Sequence, residues 1–130
     1  MANFTLPVRV YIEDTDAGGI VYYVNYLKYC ERARSEYFRT LGFDKPAFLE
    51  QGHFFVVTEA NTKYHAPARL DDELNVTATV IETKRVSLLF EQLISRENQR
   101  LVSSQVRIAY LDHNTMKPKA IPLDVLNSLT

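Results

Sequence analysis

The chain has 130 residues, 46% hydrophobic and 24% charged, which predicts one globular domain over 1–130 that needs neither metal nor disulfide to hold its core. Fifteen Lys and Arg against sixteen Asp and Glu give a net charge of −1, without the basic excess that nucleic-acid binding requires. A single cysteine, Cys30, excludes an internal disulfide, no signal-peptide pattern opens the chain, and no apolar run reaches the roughly 18 residues of a transmembrane segment, so the expected location is the cytoplasm.

In chain order, Val8-Arg9-Val10-Tyr11-Ile12 predicts a first strand. Asp14-Thr15-Asp16-Ala17-Gly18-Gly19 follows, with two carboxylates two apart and a glycine pair ahead of a helix. If the strand alternation continues, both aspartates face one side. Aspartates before a helix can be plain loop or cap residues. Paired glycines such as Gly18 and Gly19 at a strand-to-helix junction point instead to close approach of a ligand. An acid, amide donors and the positive end of a helix dipole are what acyl chemistry needs in one place.

Tyr26, Tyr29, Cys30, Ala33, Tyr37 and Leu41 recur at helical spacing and predict a helix from about Val24 to Leu41, stopped by Gly42. Tyr22 and Tyr23 precede the stripe, as boundary aromatics or as lining for an acyl pocket. Asn25 is an N-cap or a side-chain donor to a ligand. Glu31 is a solvated partner of Lys28 or a supporting carboxylate. Cys30 lies on the apolar stripe and reads as a buried, inert thiol.

After residue 52 the period becomes two. Phe54, Val56, Thr58, Ala60, Thr62 and Tyr64 predict one face of a long strand, broken by His65-Ala66-Pro67-Ala68-Arg69. Leu74 to Val80, Val86 to Ile94 and Leu101 to Leu111 predict three more, the last two joined by a turn at Glu97-Asn98-Gln99. Pro122 to Leu126 predicts a short helical turn. One strand, one long helix and four long strands make an α+β chain: a five-stranded antiparallel sheet wrapped around one helix, the hot-dog arrangement. Open sheet edges predict a homo-oligomer formed by edge pairing.

Lys84-Arg85 with Ser87 is a solvated strand junction, or with Lys63 and Arg69 a set of contacts for the phosphates of a nucleotide-like ligand. His53, His65 and His113 lack metal-ligand spacing, and neither a Gly-x-Ser-x-Gly elbow nor a phosphate-binding glycine loop is present. A hydrolase of this composition would have to work through a carboxylate.

Asp14 through Tyr22, with Asn25-Tyr26 and Glu31-Arg32-Ala33-Arg34, resembles the 4-hydroxybenzoyl-CoA thioesterase family of hot-dog proteins, and within it the Tol–Pal-associated acyl-CoA thioesterase branch. Thr58 through Asp72 is a second matching block, and the likeness runs from about Val8 to Ala109. The resemblance implies hydrolysis of an acyl-CoA thioester without metal or organic cofactor. It implies Asp16 as the catalytic carboxylate, an oxyanion and acyl region around Gly19, Tyr22, Tyr23 and Asn25, and CoA contacts at Lys63, Lys84, Arg85 and Ser87. It also implies a homo-oligomer, a tetramer built from dimers. Many members of the closer branch carry His where this chain has Tyr23, so the implied role there belongs to the backbone N–H. Two alternatives remain open: a hot-dog hydroxyacyl-thioester dehydratase, and a non-catalytic acyl-CoA binding or scaffold module.

Overall fold

A computed structural model describes residues 3–46 and 52–129. Strand β1 (Phe4–Arg9) leads through a 3-10 turn (Ile12–Asp14) to helix α1 (Asn25–Thr40). Strands β2 (His53–Tyr64), β3 (Glu73–Thr83), β4 (Ser87–Arg96) and β5 (Gln99–Asp112) follow, and a short helix α2 (Leu123–Ser128) comes last. The strands form one five-stranded antiparallel sheet in the order β1-β3-β4-β5-β2, the hot-dog architecture expected. No helix among the described residues is long and apolar enough to cross a membrane.

Register explains the inner face. Residues directly opposite one another share a side of the sheet, so Leu6↔Val76↔Ile94↔Val102 and Val80↔Phe90↔Val106 stand in rows beneath the helix. Helix α1 meets them with Tyr26, Tyr29, Cys30, Ala33, Tyr37 and Phe38. A helix of sixteen residues is marginal alone, and each large side chain buried contributes about 1.5–3 kcal/mol, so this packing makes α1 stable. Its C-terminus closes as the glycine at 42 predicts. Gly42 has φ +99°, its N–H donates to Arg39 O, and Phe43 N–H reaches back to Phe38 O.

Two strands differ from the sequence reading. Strand β1 begins at Phe4 and ends at Arg9, so Phe4, Leu6 and Val8 face inward while Ile12 falls in the 3-10 turn. The strand takes in Pro7 because β1 is an edge strand, where a missing donor costs little. In β2 the register slips between Val57 and Glu59, leaving Thr58 as an extra residue. Simple alternation puts Phe54 and Val56 on the face of Ala60. The bulge turns Phe55 and Val57 there instead, opposite Tyr110 and Ile108. Phe55 then stacks on Phe38, with ring centres 5.6 Å apart.

A polar cluster lies in the core beneath α1. Arg34 is buried, and its Nη1 donates to Gln92 Oε1 at 2.8 Å. Gln92 is fully buried, and its Nε2 donates to the carbonyls of Cys30 at 2.9 Å and Thr77 at 3.1 Å. Burial pulls the Arg34 guanidinium below its ordinary range and pushes the Cys30 thiol up to about 11, which leaves that thiol inert at neutral pH. Gln92→Leu strands a buried cation and should destabilise the fold by about 2–4 kcal/mol in urea denaturation. Arg34→Leu added to it should recover most of that loss, because an apolar pair leaves nothing unsatisfied.

Candidate active site

Asp16 sits at the tip of a small hairpin between the 3-10 turn and α1. Its N–H donates to Ile20 O at 2.9 Å, Gly19 N–H returns to Asp16 O at 3.0 Å, and Thr15 bridges Val21 at the base. Gly19 has φ +78°, the left-handed residue that closes such a turn. Gly18 is glycine for another reason: a Cβ there would stand 3.3 Å from Asp16 Oδ1, which accepts the Gly18 N–H at 2.8 Å. The Asp16 carboxylate is therefore exposed and held by one backbone donor.

The two aspartates do not share a side. The 3-10 turn replaces the continuing strand, rotating Asp14 inward to 5% exposure while Asp16 stays out. Nor does Asn25 cap the helix. Val24 is the N-cap residue, without a side-chain bond, and Asn25 Nδ2 donates to Asp14 Oδ1 at 3.0 Å.

Several backbone N–H groups around the helix start are occupied: Val21 donates to Ala68 O, Tyr22 to Asp14 O and Asn25 to Tyr22 O. Those of Tyr23 and Val24 meet no acceptor among the described residues. Beside them opens a cleft of about 320 Å³ lined by Ile20, Val21, Tyr23, Tyr26, Tyr64 and His65, with Ala66 and Pro67 at its edge. The Tyr23 and Tyr64 rings meet edge to face at 6.0 Å, and Tyr22 packs on Tyr23 at 5.2 Å. The hydroxyl of Tyr26 accepts the Ala68 N–H at 3.0 Å. Burial raises the phenols of Tyr26 and Tyr64, and the Asp16 carboxylate also bears on Tyr26.

The far wall is the segment between β2 and β3. Ile20 bridges Arg69, Arg69 N–H donates to Asp72 Oδ2, and Arg96 binds that oxygen at 2.6 Å. Burial opposes ionisation of Asp72, but the Arg69 N–H and Arg96 outweigh it and hold the carboxyl below its usual range. Tyr64 and His65 belong to this cleft, though sequence periodicity gave them only a strand face and a loop. His65 Nε2 is engaged with Ser103 Oγ at 2.9 Å.

Lys63 is exposed and adjoins Tyr64 in sequence, but it lines a polar pocket with Asn61, Glu91 and Ser103 and not the aromatic cleft. Lys84, Arg85 and Ser87 do not line the cleft either. They lie beyond the opposite end of the eleven-residue β3, which at about 3.3 Å per residue separates them from the Asp16 hairpin by on the order of 30 Å within one chain. Lys84 pairs with Glu82 at 3.5 Å, and buried Ser87 faces Arg107 at 3.3 Å. Arg107 first, then Lys84, holds the Glu82 carboxyl below its usual range. Glu31 accepts from Ser35 Oγ on the exposed side of α1. Among the described residues no three His, Cys, Asp or Glu side chains gather as a metal site would require.

Known proteins agree with this architecture. The sequence profile of the Thioesterase superfamily matches residues 18–103. The chain is 46% identical over 124 residues to the acyl-CoA thioesterase YbgC of Haemophilus influenzae, covering 95% of this chain and 91% of that one. It is 40% identical over 124 residues to the acyl-CoA thioester hydrolase YbgC of Escherichia coli, covering 95% and 92%. The crystal structure of a probable thioesterase from Bartonella henselae superposes with a TM-score of 0.87 at 32% identity, over 93% of this chain and all of that one. The profile begins at Gly18 and so takes in the helix start and most of the sheet but not Asp16, while the match to the Haemophilus influenzae relative covers 95% of the chain; this chain belongs to the thioesterase superfamily.

Proposed function

We propose that this protein hydrolyses acyl-CoA thioesters to the free acid and CoA, with Asp16 as the working carboxylate. The observation that carries the reading is an aromatic cleft whose Tyr23 N–H meets no acceptor among the described residues, with the exposed Asp16 on the hairpin that leads into it. A thioester carbonyl lying over the helix start would place its oxygen at that N–H and in the positive field of α1, where charge develops as the carbon becomes tetrahedral. Asp16 then either takes a proton from water as the water adds, or adds itself to give a mixed anhydride that water opens. Both routes expel CoA thiolate, a leaving group good enough to need no strong acid. The relatives named for acyl-CoA thioester hydrolysis support the same substrate class.

In this reading Gly19 and Tyr22 shape the approach to the carbonyl, and Asn25, bound to Asp14, shapes it indirectly. The CoA moiety is shared between subunits. Strand β2 is an edge of the sheet and exposes Val57, Ala60 and Tyr64, whereas the opposite edge carries Pro7. Two copies of β2 paired antiparallel would lay the start of one beside the end of the other. Val56 at the start is in register with Ala109 and, through it, with Ser87. A partner's basic turn would thereby approach this chain's Lys63 and cleft, as neither does alone. The same pairing would cover the apolar groove of about 360 Å³ between α1 and β2, lined by Val24, Leu27, Val57, Ala60 and Val106. We place this homo-oligomer, a tetramer of paired dimers, in the reducing cytoplasm, where a lone buried cysteine is at home.

Asp16→Asn should lower kcat by on the order of 10²–10⁴-fold with the fold intact, measured as CoA release. A folded variant at the wild-type rate would end the carboxylate mechanism. Lys84→Ala with Arg85→Ala should raise KM and leave kcat nearly unchanged, since phosphate contacts bind substrate and transition state alike. Sedimentation should show at least a dimer at micromolar concentration; a fully active monomer would overturn the shared site.

A further inference from the structure

The least expected side chain near the hairpin is Asp14. A carboxylate 5% exposed needs partners; this one accepts from two separate pieces of the chain, and the backbone carbonyl of Asp14 accepts from a third. Its Oδ2 accepts the Tyr11 N–H at 2.9 Å, from the residue before the 3-10 turn. Its Oδ1 accepts from Asn25 Nδ2 at 3.0 Å, the first residue of α1. Its own carbonyl accepts the Tyr22 N–H at 2.9 Å. The buried Tyr29 hydroxyl faces the same carboxylate without closing a normal hydrogen bond to it. Two residues on stands Asp16; one residue past Tyr22 stands the Tyr23 N–H.

We infer that Asp14 and Asn25 form a positioning pair that fixes the spacing between the Asp16 carboxylate and the Tyr23 N–H. The inference rests on the proposed roles of those two groups. Neither member of the pair touches substrate. Their bond ties the hairpin that carries the acid to the helix that presents the donor, and the Tyr22 N–H to Asp14 carbonyl bond closes the other side of the ring. Reaction rate depends steeply on such spacing: a misplacement of about 1 Å can cost roughly a hundredfold. A ground-state binding pocket built from Tyr23, Tyr26 and Tyr64 is less sensitive to it, so the pair should govern kcat more than KM.

The chemistry of the bond permits an exchange test. Asn25→Asp sets two carboxylates against each other and should drop kcat about a hundredfold on butanoyl-CoA and benzoyl-CoA, with KM within about threefold. Adding Asp14→Asn to that variant restores a donor and an acceptor in reversed order, and kcat should return to within about tenfold of wild type. A wild-type rate in Asn25→Asp, or a double variant as slow as the single, would overturn the pair. Should Asn25→Asp fail to fold, Asn25→Ala and Asp14→Asn are compared singly and together. Losses in kcat that do not add support the pair, and additive losses overturn it. The separate Asp16→Asn variant keeps the two readings apart: full activity there overturns the carboxylate role of Asp16 and the spacing argument with it, whereas a slow Asp16→Asn with no rescue by the exchange overturns the pair alone.

Discussion

Everything in this molecule depends on seating one sixteen-residue helix on one face of one sheet. The contact is intimate because Ala33 and Cys30 are small where α1 crosses the strands, while Tyr29, Tyr37 and Phe38 fill the space on either side. Once seated, the helix has little freedom to slide. Its N-terminus is tied to the segment between β2 and β3 through the Tyr26 hydroxyl and Ala68, and its middle to β3 and β4 through Arg34 and Gln92. The candidate site inherits that rigidity. Its donors sit just before that helix, and its acid sits on a hairpin braced against it.

Polar groups inside the core follow a consistent logic. Gln92 takes the Arg34 guanidinium with its oxygen and spends its amide on two carbonyls, so a buried cation is held by a neutral amide. Asp14 does the reverse, a buried anion held by an amide and a backbone N–H. Each charge is met by dipoles of fixed direction, which orients the joined segments more strictly than apolar contact could.

Much of this was legible in the sequence because it depended on period. The helical stripe from Tyr26 to Tyr37 and the alternation of β3, β4 and β5 reflect burial on one face, and burial fixes composition. The Asp16 and glycine-pair motif was legible for a different reason, since its backbone demands admit few residue types. The remainder depended on geometry that leaves no periodic trace. The bulge at Thr58 inverts half of β2 with no change in composition. The 3-10 turn at Ile12–Asp14 separates two aspartates that alternation would have aligned. Asn25 has the chemistry of a cap, and only the position of Asp14 gives it another use. Lys84 and Arg85 stand out in sequence as a basic spot, but their distance from Asp16 follows from the length of β3 rather than from local pattern.

The two glycines of the hairpin are adjacent, yet they answer to different constraints. Gly18 is a matter of volume, because a methyl group there would crowd the Asp16 carboxylate. Gly19 is a matter of handedness: a Cβ would meet open space, but its backbone angle is one that L-residues resist. A chain assembled with D-alanine at 19 would meet that demand and give up conformational freedom in the unfolded state as well. Evolution, confined to L-residues, can stiffen the turn at that position only at a cost in strain, as Asp71 with φ +70° bears elsewhere in this chain. The looseness glycine brings to the unfolded hairpin is thus imposed by chirality and not by any shortage of room.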